Sequence, residues 1–296
     1  MKALVFGSCN LDFIYRVPHI VSPGETAEIS ALRTSPGGKG LNQAIALKKA
    51  GLTVYFAGKR GADGALLQRT AEENGVDTSF LRVSSGASGQ AHIQVTETGE
   101  NAILLYRGAN YEITREEINE TLACFGEGDL LVMQNEISEL TYLIDAGFRR
   151  GMHTVLNPSP INDAMCSIDY TKIGLVFINE VELAGLACGR TLDAFIGDMR
   201  KKYPETRWVV TLGKEGSLYF DAASLYRQPA LPANVLDTTC AGDTFTGYFT
   251  AALCEGTDIS TALLRGAAAS SITISRVGAA GVIPTKAEVD ALAAVR

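Results

Sequence analysis

Asp237-Thr238-Thr239-Cys240-Ala241-Gly242-Asp243-Thr244-Phe245 is a run of small residues between two carboxylates that passes straight into a helical pattern. Phe245, Phe249, Ala252 and Leu253 fall at i, i+4, i+7 and i+8, so a helix starts near Cys240 and buries the face they share. The first turn of a helix leaves backbone N–H groups without intrahelical partners, and Ala241 and Gly242 are too small to keep an anion away from them. Asp243 stands inside that anion site. Such a carboxylate has two readings: it complements the helix dipole, or it takes a proton from a hydroxyl attacking a bound phosphoryl group. A base beside a phosphoryl cradle points to a kinase.

The composition of the 296-residue chain, 46% hydrophobic and 20% charged, is that of an ordinary globular protein with ample core. A net charge of -7 with no Lys/Arg cluster argues against nucleic acid or an anionic membrane as partner. The six cysteines (Cys9, Cys124, Cys166, Cys188, Cys240 and Cys254) include no C-x-x-C and no histidine at zinc-ligand spacing, which suits reduced thiols. The apolar run from Met1 to Gly7 is too short for a signal sequence or a membrane span, so a cytoplasmic protein is expected. His19, His92 and His153 lie far apart, which gives no local basis for a histidine metal site or triad.

Ala3 to Ser8 reads as a buried strand opening into a loop that holds Asn10 and Asp12. At the carboxyl end of a strand in an open α/β sheet, two short polar side chains either brace the turn or meet a hydroxylated ligand. Residues 13–17 and 27–33 have β character around a Ser-Pro-Gly break, which predicts a hairpin outside the main sheet. Ser35-Pro36-Gly37-Gly38-Lys39-Gly40-Leu41-Asn42-Gln43 then enters a helix that stops at Gly51. Its glycines let backbone approach a ligand, with Lys39 and Asn42 as donors beside it. The spacing matches neither a Walker A loop nor G-x-G-x-x-G. Apolar strands near 53–58, 130–134, 153–156, 175–178 and 207–212 alternate with helical stretches, the pattern of a parallel sheet covered on both faces. Thr114-x-x-Glu117 and Thr285-x-x-Glu288 are capping boxes that begin two of those helices. With no repeat or linker tract, the chain reads as one α/β domain over 1–296 with an inserted lid.

The glycine-rich segments 36–43 and 237–243 together resemble the two signature regions of the ribokinase or PfkB-type carbohydrate kinase family, and within it the ribokinases. Leu130 to Asn135 delivering Glu136, Asn179-Glu180-Val181-Glu182 as N-x-x-E, and Thr211-Leu212-Gly213-Lys214-Glu215-Gly216 extend the resemblance over nearly the whole chain. It implies a mostly parallel sheet with helices on both faces and a small β-sheet lid with strands from about 13–33 and 89–107.

The resemblance further implies ATP-dependent phosphorylation of a sugar's terminal hydroxyl, with ribose the expected substrate. Asp243 would be the base, and the amides of Cys240, Ala241 and Gly242 the anion hole. Asn10, Asp12, Gly38, Lys39, Asn42 and Glu136 would bind the sugar, and Asn179, Thr211, Gly213, Lys214, Gly216 and Gly242 the nucleotide. Glu182 would serve Mg²⁺ through water. A K⁺ site would draw on Asp237 and Thr239 with Thr273, Arg276 and Gly278, although Val282 stands where ribokinases usually have Ser. Cys240 replaces the usual Gly or Ala, and a helix start can lower a thiol's pKa, so it is either an oxidation target or simply buried. Family lids commonly pair, which implies a homodimer. Kinases of nucleosides, fructose-type sugars or ketodeoxygluconate share the scaffold. A non-catalytic sugar sensor would be expected to lose Asp243 or its glycines, and an NAD-dependent oxidoreductase needs a glycine fingerprint that residues 7–12 lack.

Overall fold

The computed structural model describes residues 1–295. Its strands are β1 Ala3–Phe6, β2 Asn10–Arg16, β3 Ala31–Gly37, β4 Val54–Arg60, β5 Asp77–Val83, β6 Gly89–Val95, β7 Asn101–Tyr106, β8 Leu130–Gln134, β9 His153–Asn157, β10 Leu175–Ile178, β11 Arg207–Thr211, β12 Ser217–Phe220 and β13 Leu225–Gln228. The helices are α1 Lys39–Lys49, α2 Ala65–Glu73, α3 Arg115–Leu122, α4 Leu140–Arg149, α5 Asp163–Ser167, α6 Glu180–Ala187, α7 Leu192–Lys202, α8 Ala241–Cys254, α9 Ile259–Ile274 and α10 Lys286–Ala293.

Among the described residues the larger sheet has nine strands in the order β13-β12-β11-β10-β9-β8-β1-β4-β5. Pairing is parallel from β11 through to β5, and only β12 and β13 add on antiparallel. The central strands are continuous apolar runs because both faces are covered. Val5, Val132, Phe177 and Val209 pack with α1, α8 and α9, while Leu4, Phe6, Met133 and Trp208 pack on the other face with α3, α4 and α7. The chain leaves β1 for β4 and β5 on one side, then returns to β8 on the other. That reversal puts a crevice at the carboxyl ends of β1 and β8.

Phe245 and Phe249 stack on each other and meet Phe177 edge-on, as the helical spacing predicts. The helix holding them, α8, crosses α1 closely because Gly247 has no side chain: a Cβ there would lie 2.4 Å from the Ala46 Cβ. This contact brings the start of α1 beside Asp243. Both expected capping boxes are present, at Thr114 with Glu117 and at Thr285 with Glu288.

The four-stranded lid has the order β3-β2-β6-β7. The expected hairpin exists, but its second strand is Ala31–Gly37 rather than 27–33. Pairing of Asn10 with Gly37 through to Arg16 with Ala31 sets that register. Pro36 is tolerated because β3 is an edge strand, where a missing N–H breaks no ladder. Asn10 and Asp12 accordingly lie on β2, two residues apart on one face of the lid, and not in a loop after β1.

Candidate active site

Asp243 sits in the first turn of α8 and is 8% exposed. Its Oδ2 accepts a hydrogen bond from Asn42 Nδ2 at 3.0 Å, and its Oδ1 accepts one from Gln43 Nε2 at 2.9 Å. Both donors come from α1, whose start at Gly38 requires glycine because φ is 94° there. The base candidate is therefore held by neutral carboxamides. Of these, Asn42 was legible as a ligand donor and Gln43 was not.

The cavity in front of α8 encloses about 190 Å³ and is lined by Lys39, Asn179, Glu182, Thr211, Gly242 and Asp243, together with Asn157, Ser159, Phe177, Thr238 and Thr246. Cys240 adopts the left-handed conformation at φ 65° as the residue before the helix. Of the three amides expected to form the anion hole, that of Ala241 donates to the Thr238 carbonyl at 3.3 Å. The N–H groups of Gly242 and Asp243 find no acceptor among the described residues, and a Cβ on Gly242 would meet only open space. The Cys240 N–H likewise finds no acceptor, so of the three expected amides only that of Ala241 is engaged within the chain. Cys240 is not activated: burial, then the Asp243 carboxylate, pushes its thiol well up, which outweighs the helix start.

Lys39 lines the same cavity. Burial opposes its charge, but Asp243, Glu136 and Glu182 around it hold its pKa above the ordinary lysine value. Glu136 follows β8, and its Oε2 accepts from the Ser8 hydroxyl and from the Lys39 backbone N–H at 3.3 Å. Burial raises the Glu136 pKa, with Lys39 working against the rise. On the lid side Asn10 is 4% exposed and its Oδ1 accepts from Asn110 Nδ2 at 2.8 Å. Asn110, whose Oδ1 also accepts the Cys9 N–H, is a site neighbour that no local motif announced. Asp12 is pushed up to about 7, first by burial and then by Glu136.

Asn179 and Glu182 form a reciprocal capping box at the start of α6, and both also line the cavity. One Glu182 oxygen accepts the Asn179 N–H at 2.9 Å. Among the described residues no three His, Cys, Asp or Glu side chains cluster to hold a metal. Glu182, one of two carboxylates that line the cavity, fits an ion that keeps most of its waters and takes its other ligands from phosphates, as Mg²⁺ does. Thr211, the last residue of β11, reaches the cavity, whereas Gly213, Lys214 and Gly216 in the turn after it are not among its lining. Asp237 ties two loops together, accepting from Thr239 N at 2.9 Å and Gly278 N at 3.0 Å. The Thr273 hydroxyl bonds to Thr244 and Ala269, and Arg276 bonds to the Val282 carbonyl and to Glu288.

The model of the pfkB family carbohydrate kinases matches residues 1–286. The ribokinase of Bacillus subtilis (strain 168) is 34% identical over 294 residues, which cover 97% of this chain and 98% of that one. The crystal structure of ribokinase from Cryptococcus neoformans var. grubii serotype A in complex with ADP aligns with a TM-score of 0.88 at 32% identity, over 98% of each chain. The Arabidopsis thaliana ribokinase complexed with ribose and ATP aligns with a TM-score of 0.85 at 27% identity, over 99% of this chain and 98% of that one. With the family model matching residues 1–286 and a relative above 30% identity over nearly its whole length, the chain belongs to the pfkB family of carbohydrate kinases.

Proposed function

We propose that the protein transfers the terminal phosphoryl group of ATP to the C5 hydroxyl of D-ribose, giving ribose 5-phosphate. The observation that carries this reading is Asp243, a buried carboxylate between the sugar-side residues Asn42 and Glu136 and the free N–H groups at the start of α8. Asn10, Asp12, Asn42 and Glu136 offer acceptors and donors to the sugar hydroxyls, leaving the terminal one for Asp243 to deprotonate. Lys39 and the Gly242 and Asp243 amides receive the charge of the transferring phosphoryl group. Mg²⁺, held through water near Glu182, supplies neutralisation of the ATP phosphates when bound. Gly213, Lys214 and Gly216, in the turn that follows the cavity residue Thr211, serve the nucleoside part of ATP.

A K⁺ site beside the anion hole, built on Asp237, Thr239, Thr273, Arg276 and Gly278, is supported by the Asp237 link between the two loops. Val282 supplies no hydroxyl, so backbone carbonyls carry that site. In a coupled ADP-release assay the account expects turnover that depends on ribose, gives a C5 phosphomonoester by ³¹P NMR, and runs faster in K⁺ than in choline. ADP release that ignores ribose, or phosphate at C1, would refute the assignment. A rate flat in K⁺ would remove only the cation site.

The cytoplasmic and dimeric readings have their own support. All six cysteines are free, and no helix among the described residues is long and apolar enough to cross a membrane. Ile103, Leu104, Leu105 and Tyr106 stand exposed on the edge strand of the lid, a patch that pairing of two lids would cover. A sedimentation mass twice that of the chain checks this.

The raised Asp12 pKa gives a pH dependence with a definite sign. Ribose hydroxyls donate to the ionised carboxylate, whereas Asp12 held at about 7 is protonated below that pH. Binding must then expel the proton, so KM for ribose rises as pH falls below about 7, by up to about tenfold per unit. Asp12→Asn should abolish that limb and lower kcat/KM by roughly 1 to 3 kcal/mol, the scale of a lost buried hydrogen-bond partner. An unchanged limb in Asp12→Asn would assign it to Glu136 instead.

A further inference from the structure

We propose that Gln43 is a positioning residue for Asp243, held in turn by Gln134, so that two side chains, from β8 and α1, fix the orientation of the base on α8. The proposal rests on the reading of Asp243 as the base. Gln43 and Gln134 are 1% and 0% exposed, and neither lines the cavity in front of α8. Gln134 Nε2 donates to Gln43 Oε1 at 2.7 Å, and Gln43 Nε2 donates to Asp243 Oδ1 at 2.9 Å. The polarity of this chain follows from chemistry. An ionised carboxylate only accepts, so the NH₂ end of Gln43 must face Asp243, its oxygen must face Gln134, and Gln134 must donate.

The seat of Gln134 is closely fitted: a Cβ on Gly7 would lie 2.0 Å from Gln134 Oε1, an oxygen with no hydrogen-bond partner among the described residues. An unpaired buried amide oxygen is costly, so stability alone does not favour glutamine here. Its use is directional. With Oδ1 held by Gln43, the carboxylate cannot rotate about its Cβ–Cγ bond without breaking that bond, and Oδ2 stays beside Asn42. Charged donors in place of these amides would form a salt bridge with the base and lower its affinity for the hydroxyl proton. Neutral carboxamides orient it and leave it free to accept one.

The test uses Gln43→Met and Gln134→Met, nearly isosteric changes that remove the donors. The account expects Gln43→Met to lower kcat with ribose by about 10-fold or more, with KM for ribose and ATP within about twofold, because the loss arises in the proton-transfer step. Gln134→Met should give a smaller fall of the same kind, and none in the Gln43→Met background, because it acts only through Gln43. Three results would overturn the proposal: kcat within twofold in Gln43→Met, a parallel rise of KM, or a Gln134→Met effect that multiplies undiminished in the double variant. If Gln43→Met does not fold, Gln134→Met alone decides, by the same split between kcat and KM. Asp243→Asn run alongside separates the readings: if it is active the base assignment falls, and if it is inactive while Gln43→Met is normal only the positioning role falls.

Discussion

Asp243→Asn lowers kcat with ribose by about 10²-fold or more, the scale of losing a general base, while the protein still folds and binds the sugar. Asparagine keeps the volume of the side chain at this 8% exposed position, so the packing of α8 on α1 is not disturbed. What changes is the proton acceptor. Asn42 Nδ2 and Gln43 Nε2 both donate to the carboxylate, and a carboxamide can satisfy only one of them with its oxygen. The mismatch costs some stability and leaves no group to take the hydroxyl proton. The residual rate then comes from Lys39, the helix amides and proximity alone. Turnover within a few-fold of wild type would show that Asp243 only complements the dipole of α8.

Lys39→Met is the second large effect expected, a fall in kcat of about 10²-fold, the scale of removing one preorganised donor from a developing charge. The family resemblance implies a sugar contact for Lys39, and Lys39 also lines the cavity in front of α8 with Gly242 and Glu182. Burial works against its charge, and Asp243, Glu136 and Glu182 together hold the proton on it. Methionine keeps the length of the stem and removes the cation. If Lys39 serves the phosphoryl group, kcat falls much more than KM for ribose rises. A variant with normal kcat and a high ribose KM would return Lys39 to the sugar.

The parts of the site that were legible in the sequence are those whose chemistry is local. The turn before α8, the loop before α1, and the capping boxes each lie within a few residues, so spacing alone exposes them. Alternating apolar runs likewise revealed the parallel core, because strands buried on both faces are continuous in sequence. Strands β5, β12 and β13 escaped that test, being partly exposed or added antiparallel at the edge.

Contacts between distant segments were beyond reach. Gln43 and Asp243 are 200 residues apart, and Gln134 lies 91 from Gln43, so no window of sequence contains their chain of hydrogen bonds. The registry of β2 with β3, which moved Asn10 and Asp12 from a loop onto a strand, also depends on pairing rather than on either segment alone. Cys240 admits two readings in sequence, and the structure selects the buried one. Its position at a helix start suggests an acidic thiol, but burial beside a carboxylate has the larger effect.

The most direct test of the account is kcat/KM for ribose measured beside a nucleoside and ketodeoxygluconate under one set of conditions. A nucleoside needs walls for its base beyond the sugar, and a sugar acid brings its carboxylate toward Asp12 and Glu136, where Lys39 offsets only part of the repulsion. Ribose is expected to lead both. Should either exceed ribose by more than about tenfold, a difference near 1.4 kcal/mol in transition-state binding, the ribose assignment is contradicted and only a sugar kinase of another specificity remains.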